Sequence, residues 1–177
     1  MISKLHYRAI PVHRPPQYKR EGIAFDAKAR VHWRRTVQRV MAVTVEREVG
    51  FSMIDMANVA YYPRIFDLAH QVFEAAWLEM CGVPYPELVK VRRIGFPVVS
   101  VSSTFLAPLR YGDKVRGEVA IASIGTASLG WRYTFVNQDD VVVWRSEQMT
   151  VCVDMDTMVK QPIPEDLRPG LSQHLEA

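Results

Sequence analysis

From about Arg39 onward the apolar positions fall into short alternating runs, interrupted once by a long stretch at helical spacing. Residues 39–51 alternate at period two, with Val43, Val45 and Val49 on one side, and predict a strand. A loop at 52–58 follows. Residues 59–80 then carry Ile65, Phe66, Leu68, Ala69, Val72, Phe73, Ala76, Trp77 and Met80 at helical spacing, apolar around more than half the circumference. Pro63 falls in the first turn, where a missing amide costs little, and Cys81-Gly82-Val83-Pro84 supplies a stop. No second helix of that strength is predicted.

Strands are predicted at 95–107, 114–124, 128–137 and 141–154. Tyr111-Gly112-Asp113, Gly125-Thr126 and the polar Asn137-Gln138-Asp139-Asp140 separate them. Leu129, Trp131, Tyr133 and Phe135 share one face of the third. Short turns imply antiparallel neighbours. One antiparallel sheet covered by one apolar helix is the economical α+β arrangement. The predicted organisation is an extension at 1–38, a domain at 39–156 and a tail at 157–177. An exposed sheet edge predicts association with a second copy.

The net charge of +3 conceals an asymmetry. Residues 1–40 hold ten Lys and Arg against Glu21 and Asp26, a balance of +8; the rest holds twelve against seventeen, a balance of −5. The basic extension reads either as a contact for nucleic acid, an acidic surface or ligand phosphates, or as a segment packed on the domain or a neighbouring subunit. The second reading is adopted, with no nucleic acid partner expected. No apolar run is long enough to cross a bilayer and no secretory leader is evident, so a cytoplasmic protein without a membrane partner is expected. Cys81 and Cys152, 71 positions apart, match no metal-ligand spacing and are expected as free thiols.

The chemistry concentrates at 51–70, FSMIDMANVAYYPRIFDLAH. Asp55 lies just ahead of the long helix, whose first amides, around Tyr61 and Tyr62, lack partners within it. A carboxylate beside free amide donors can attack a carbonyl while the donors stabilise the oxyanion. The alternative is that Asp55 caps the helix or a turn.

This stretch resembles the signature of the hotdog-fold acyl-CoA thioesterases, especially the 4-hydroxybenzoyl-CoA thioesterase group. The matching residues are Phe51, Asp55, Tyr62 and Pro63, with Phe66 in the helix. Cys81-Gly82-Val83-Pro84, Gly95-Phe96-Pro97-Val98-Val99-Ser100 with Phe105, and Tyr111-Gly112-Asp113 continue the likeness in order. It covers roughly 39–154. The resemblance implies a hotdog fold, one long central helix wrapped by a five- or six-stranded antiparallel sheet. It implies hydrolysis of an aryl- or medium-chain acyl-CoA in a homodimer or homotetramer, with no metal and no cofactor beyond the coenzyme A of the substrate. Asp55 would be nucleophile or general base, and the Tyr62 amide would polarise the thioester carbonyl. Asn58, His70, Pro97 and Ser100 would bind substrate.

Three positions depart from the family pattern: Met53 replaces an acidic residue, Asn58 a glycine, and His70 the aspartate that reads a ring hydroxyl. Asn tolerates the left-handed backbone that such a glycine serves. Arg92, Arg93, Arg110 and Lys114 are candidates for the phosphates of coenzyme A. Two alternatives remain on the same fold: an enoyl-thioester hydratase or dehydratase using a histidine base, and a non-catalytic acyl-CoA-binding regulator.

Overall fold

The first described strand, β1, runs Val43–Glu48 and buries Val43, with Val49 buried just beyond it. The computed structural model describes residues 42–176, all within one compact unit. The expected 1–38 extension lies outside the described residues. A 3-10 turn at Phe51–Met53 leads into the long helix α1, Tyr62–Cys81. Gly82, at φ 67°, ends α1 as the stop signal requires. Ile65, Leu68, Ala69, Val72, Phe73, Ala76, Trp77 and Met80 form its buried face.

A short helix, α2 at Tyr85–Lys90, follows where the sequence predicted none. Six residues show too little periodicity to register, although Pro84 at its N-cap, Glu87 in its first turn and Lys90 in its last suit a helix. The strand predicted at 95–107 divides into β2, Ile94–Gly95, and β3, Val98–Phe105, with Phe96-Pro97 between them. The next two strands match their predicted ranges: β4 is Lys114–Ile124 and β5 is Ser128–Asn137. The last predicted strand divides into β6, Val142–Val151, and β7, Val153–Asp154.

The five long strands form one antiparallel sheet in the order β1-β4-β5-β6-β3, and β2 pairs with β7 in a two-stranded ladder. Tight hairpins join β4 to β5 and β5 to β6. The second turns on Asn137, whose Oδ1 accepts the Asp139 and Val141 amides at 3.0 Å each. The expectation that strands joined by short turns are neighbours fails once. β3 pairs with β6 at one edge, while β4 pairs with β1 near the other. The chain therefore passes from one side of the sheet to the other through 106–113, anchored by buried Leu109. With α1 packed on the inner face, this is the hotdog fold. Trp77, Trp131, Trp144, Tyr133, Phe96 and Phe135 are the largest side chains of the core.

The segment expected as a tail behaves differently. Ile163, Leu167 and Leu171 are fully buried in the same core, the last in a third helix, α3, Arg168–Gln173. The three apolar residues recur every four positions, but Pro162, Pro164 and Pro169 among them argue against one continuous helix. At Gly170 the backbones of α3 and α1 meet so closely that an added Cβ would lie 2.0 Å from the Met80 carbonyl oxygen.

Two substitutions test that contact by denaturant unfolding. Leu171→Ala should cost about 2–5 kcal/mol as a core truncation. Gly170→Ala should destabilise, although Ala in place of Gly ordinarily favours a helix by about 1 kcal/mol. A stabilised Gly170→Ala protein would show that α3 does not rest on α1.

Candidate active site

The loop before α1 is a closed turn. Ile54 and Ala60 form an isolated antiparallel bridge. Within it the Asp55 amide donates to the Val59 carbonyl and the Asn58 amide to the Asp55 carbonyl, each at 3.0 Å. Asn58 takes φ 60°, the left-handed conformation for which an asparagine substitutes for glycine. The loop ahead of β4 holds the turn from outside. The Leu109 carbonyl accepts the Ala60 amide at 2.8 Å, and Arg110 Nη1 donates to the Asn58 carbonyl at 3.3 Å. Asp55 Oδ1 accepts the Ala57 amide at 2.8 Å, so the carboxylate caps its own turn and not the helix. Its Oδ2 has no partner among the described residues, and the side chain is exposed.

The helix start narrows the amide donors to one. Tyr61, the N-cap, offers no side-chain cap, and its amide donates to the Met53 carbonyl at 2.8 Å. Pro63 has no N–H, and the Arg64 amide donates to the Tyr61 carbonyl at 2.8 Å. The Tyr62 N–H therefore lacks an acceptor among the described residues, while Tyr61 drops out as a donor. No acidic side chain occupies the first turn, so the positive end of the helix is not neutralised by its own residues. A carboxylate ahead of such an end, with one amide unengaged, can carry addition to a carbonyl.

A pocket of about 310 Å³ lies between α1, α2 and the sheet. Phe66, Phe73, Tyr85 and Phe96 give it aromatic walls, and His70, Tyr133 and Gln148 are its polar residues. His70 stacks on Phe73 with ring centroids 5.7 Å apart and sits 3.4 Å from Glu74. The Tyr85 hydroxyl accepts the Phe96 amide at 3.3 Å, and burial pushes its pKa up.

Of the expected substrate residues, His70 and Pro97 line this pocket. Asn58 shapes the Asp55 turn instead, and Ser100 is exposed and absent from the lining. A register shift between Val98 and Ser100 explains the last point: the bulge resets the alternation, so Val98 and Val101 both reach the pocket. Asp55 and Tyr62 are not lining residues of this pocket in the single chain. Tyr85 and Gln148 were missed because α2 was not predicted and because register decides which way β6 faces. Tyr133 was readable as an inner-face residue but not as a polar one meeting a cavity.

The remaining candidates have other partners. Arg92 pairs with Asp166 at 2.9 Å and Arg93 with Asp156 at 2.5 Å. Lys114 lines a separate polar groove of about 410 Å³ beside Arg47 and Arg116. Both cysteines are free, and burial pushes each thiol up to about 11, so neither supplies a thiolate near neutrality. Among the described residues no group of His, Cys, Asp and Glu is placed to hold a metal ion, and no helix is long and apolar enough to cross a membrane.

Residues 49–171 match the family model of the thioesterase-like superfamily. A 1,4-dihydroxy-2-naphthoyl-CoA hydrolase of Nostoc punctiforme is 28% identical over 127 residues, covering 72% of this chain and 84% of that protein. A solved gentisyl-coenzyme A thioesterase is 26% identical at a TM-score of 0.65, covering 71% of this chain and 98% of its own. A thioesterase-superfamily structure from Jannaschia sp. CCS1 reaches a TM-score of 0.72 at 23% identity, covering 77% and 94% of the two chains, and shows the fold alone.

The backbone at Asn58 sets a test of the turn. Asn58→Gly should leave the unfolding free energy unchanged or raise it. Asn58→Val should cost about 1–2 kcal/mol, because a β-branched residue resists positive φ. Equal stability of the two variants would mean that the left-handed turn does not form.

Proposed function

We propose that this chain, which belongs to the thioesterase-like superfamily, hydrolyses the thioester of an aromatic, hydroxyl-bearing acyl-CoA, with Asp55 as nucleophile or general base. The observation that carries this reading is the pairing of an exposed carboxylate, Oδ2 free, with the unengaged Tyr62 amide at the start of α1. The aromatic pocket and the hydroxyaryl-CoA substrates named for two relatives support the acyl class.

In the nucleophilic route Asp55 adds to the thioester carbon, the C–S bond breaks, and coenzyme A leaves as thiolate. Water then cleaves the mixed anhydride, returning the Asp55 carboxylate and the free acid, and the remaining proton goes to the coenzyme A thiolate. In the general-base route Asp55 takes a proton from water as its oxygen adds to that carbon, and the proton passes to the departing thiolate. In both, the Tyr62 N–H donates to the carbonyl oxygen as it becomes an oxyanion. Only the chain's own groups and water take part. A hydratase reading would use the His70–Glu74 pair, and water added across an enoyl-CoA would identify it.

The site is proposed to work in a homodimer or homotetramer. β3 is an edge strand, eight residues without a charge or a proline, with Val99 61% and Phe105 44% exposed. Edges of that kind pair with another strand unless blunted by charge, proline or a covering segment. A second copy of β3 would extend the sheet and bring another chain to the pocket mouth, where Val98 and Val101 lie.

Asp55→Asn keeps the bond to the Ala57 amide and removes the charge. Turnover should fall by about 10²–10⁴-fold with the unfolding midpoint unchanged. Activity within threefold of wild type in the folded variant would remove Asp55 from the mechanism. Light scattering should show a mass of at least two 20.3 kDa chains, and Val99→Lys should shift it toward one. A wild-type monomer at every concentration would refute edge pairing.

A further inference from the structure

Across β5, β6 and β3 one row of the inner face sets a tyrosine beside two serines. Register places Tyr133 of β5 opposite Ser146 of β6, and Ser146 opposite Ser103 of β3. On one side of this row, Phe135 faces Trp144 and Trp144 faces Phe105; on the other, Trp131 faces Gln148. The serines satisfy each other. Ser103 Oγ donates to Ser146 Oγ at 2.9 Å, and Ser146 Oγ donates to the Ser102 carbonyl at 3.0 Å. Gln148 Nε2 approaches Ser146 Oγ at 3.4 Å, leaving Gln148 Oε1 without a partner among the described residues.

The third member of the row, Tyr133, has its ring in the core. It is 1% exposed and lines the pocket, yet no described residue supplies a hydrogen-bond partner to its hydroxyl. The hydroxyl is not enclosed by protein and meets the pocket, where a bound group can pair with it. Burial also pushes the phenol pKa up, so the group stays a neutral donor across the working range. A phenylalanine would fill the same place in the core without the hydroxyl. The position therefore presents to the pocket a polar atom that no described residue engages.

We propose that Tyr133 determines acyl specificity: its hydroxyl donates to the oxygen of a ring hydroxyl on the acyl group, whose proton is accepted by Gln148 Oε1. This rests on the hydrolase reading above and names the residue that reads the substituent. An unsubstituted ring fills the aromatic walls equally well but leaves the Tyr133 hydroxyl and Gln148 Oε1 unpaired, the condition under which a site discriminates strongly.

The test compares the full chain with its Tyr133→Phe variant on benzoyl-CoA and the three monohydroxybenzoyl-CoA isomers. For the isomer that wild type prefers, the kcat/KM ratio of hydroxylated to unsubstituted substrate should fall about 10–100-fold, and the unfolding midpoint should hold or rise. A ratio within threefold of wild type overturns the proposal, as does an equal loss on all substrates with a lowered midpoint. Calorimetry of benzoate and the hydroxybenzoates reads the same contact without turnover. If wild type hydrolyses none of the thioesters, the hydrolase reading falls while a binding preference lost in Tyr133→Phe still upholds Tyr133. Absence of any wild-type preference for the hydroxylated acids overturns it.

Discussion

Helix α1 sits so low on the sheet that a Cβ on Gly117 would come within 2.8 Å of Val72 Cγ2 and 2.7 Å of Phe135 Cε1. Only a residue without a side chain fits in β4 at that point. Along the rest of the contact, aromatic rings interlock: Phe73 lies 5.0 Å from Trp131, Trp77 5.7 Å from it, and Phe66 5.5 Å from Trp144. Close-packed rings of this size resist sliding, since any shift opens voids that lose dispersion contacts on one side. The helix axis is thereby fixed against the sheet, and both of its ends are fixed with it.

Each end then has a task that follows from its place. The N-terminus presents the Tyr62 amide, and the turn holding Asp55 is tied to the same region through the Met53, Leu109 and Asn58 carbonyls. The C-terminus receives α3 at Gly170, which closes the core over Met80. Between them the helix wall of the pocket carries Phe66, Ala69, His70 and Phe73 on successive turns. Short backbone hydrogen bonds position the carboxylate, and interlocked rings position the pocket. A rigid scaffold of that kind is what a reaction dependent on oriented donors requires.

Much of this was legible because it is local. The long helix, its proline entry and glycine exit, and the strands at 114–124 and 128–137 follow from period and turn chemistry within one window. Asp55, Asn58 and Tyr62 stand out because the turn and helix start that carry them are local, although Leu109 and Arg110 also brace that turn. The C-terminal segment was illegible because Pro162, Pro164 and Pro169 interrupt the four-residue spacing of Ile163, Leu167 and Leu171, whose burial depends on contacts far away in sequence. Helix α2 was too short to leave a period.

The amino-acid order alone was sufficient for the α+β class, for the helix and most strands, and for the turn where a carboxylate precedes a helix start. It could not say that β3 lies beside β6, that a bulge would turn Ser100 out and Val101 in, or that Tyr133, Ser146 and Ser103 would line up across three strands. Those outcomes belong to the tertiary structure. Strand neighbours and register are chosen by the burial of side chains tens of residues apart, and shifting a strand by one position exchanges its two faces. A pocket assembled from residues 66 to 148 exists only once that choice has been made.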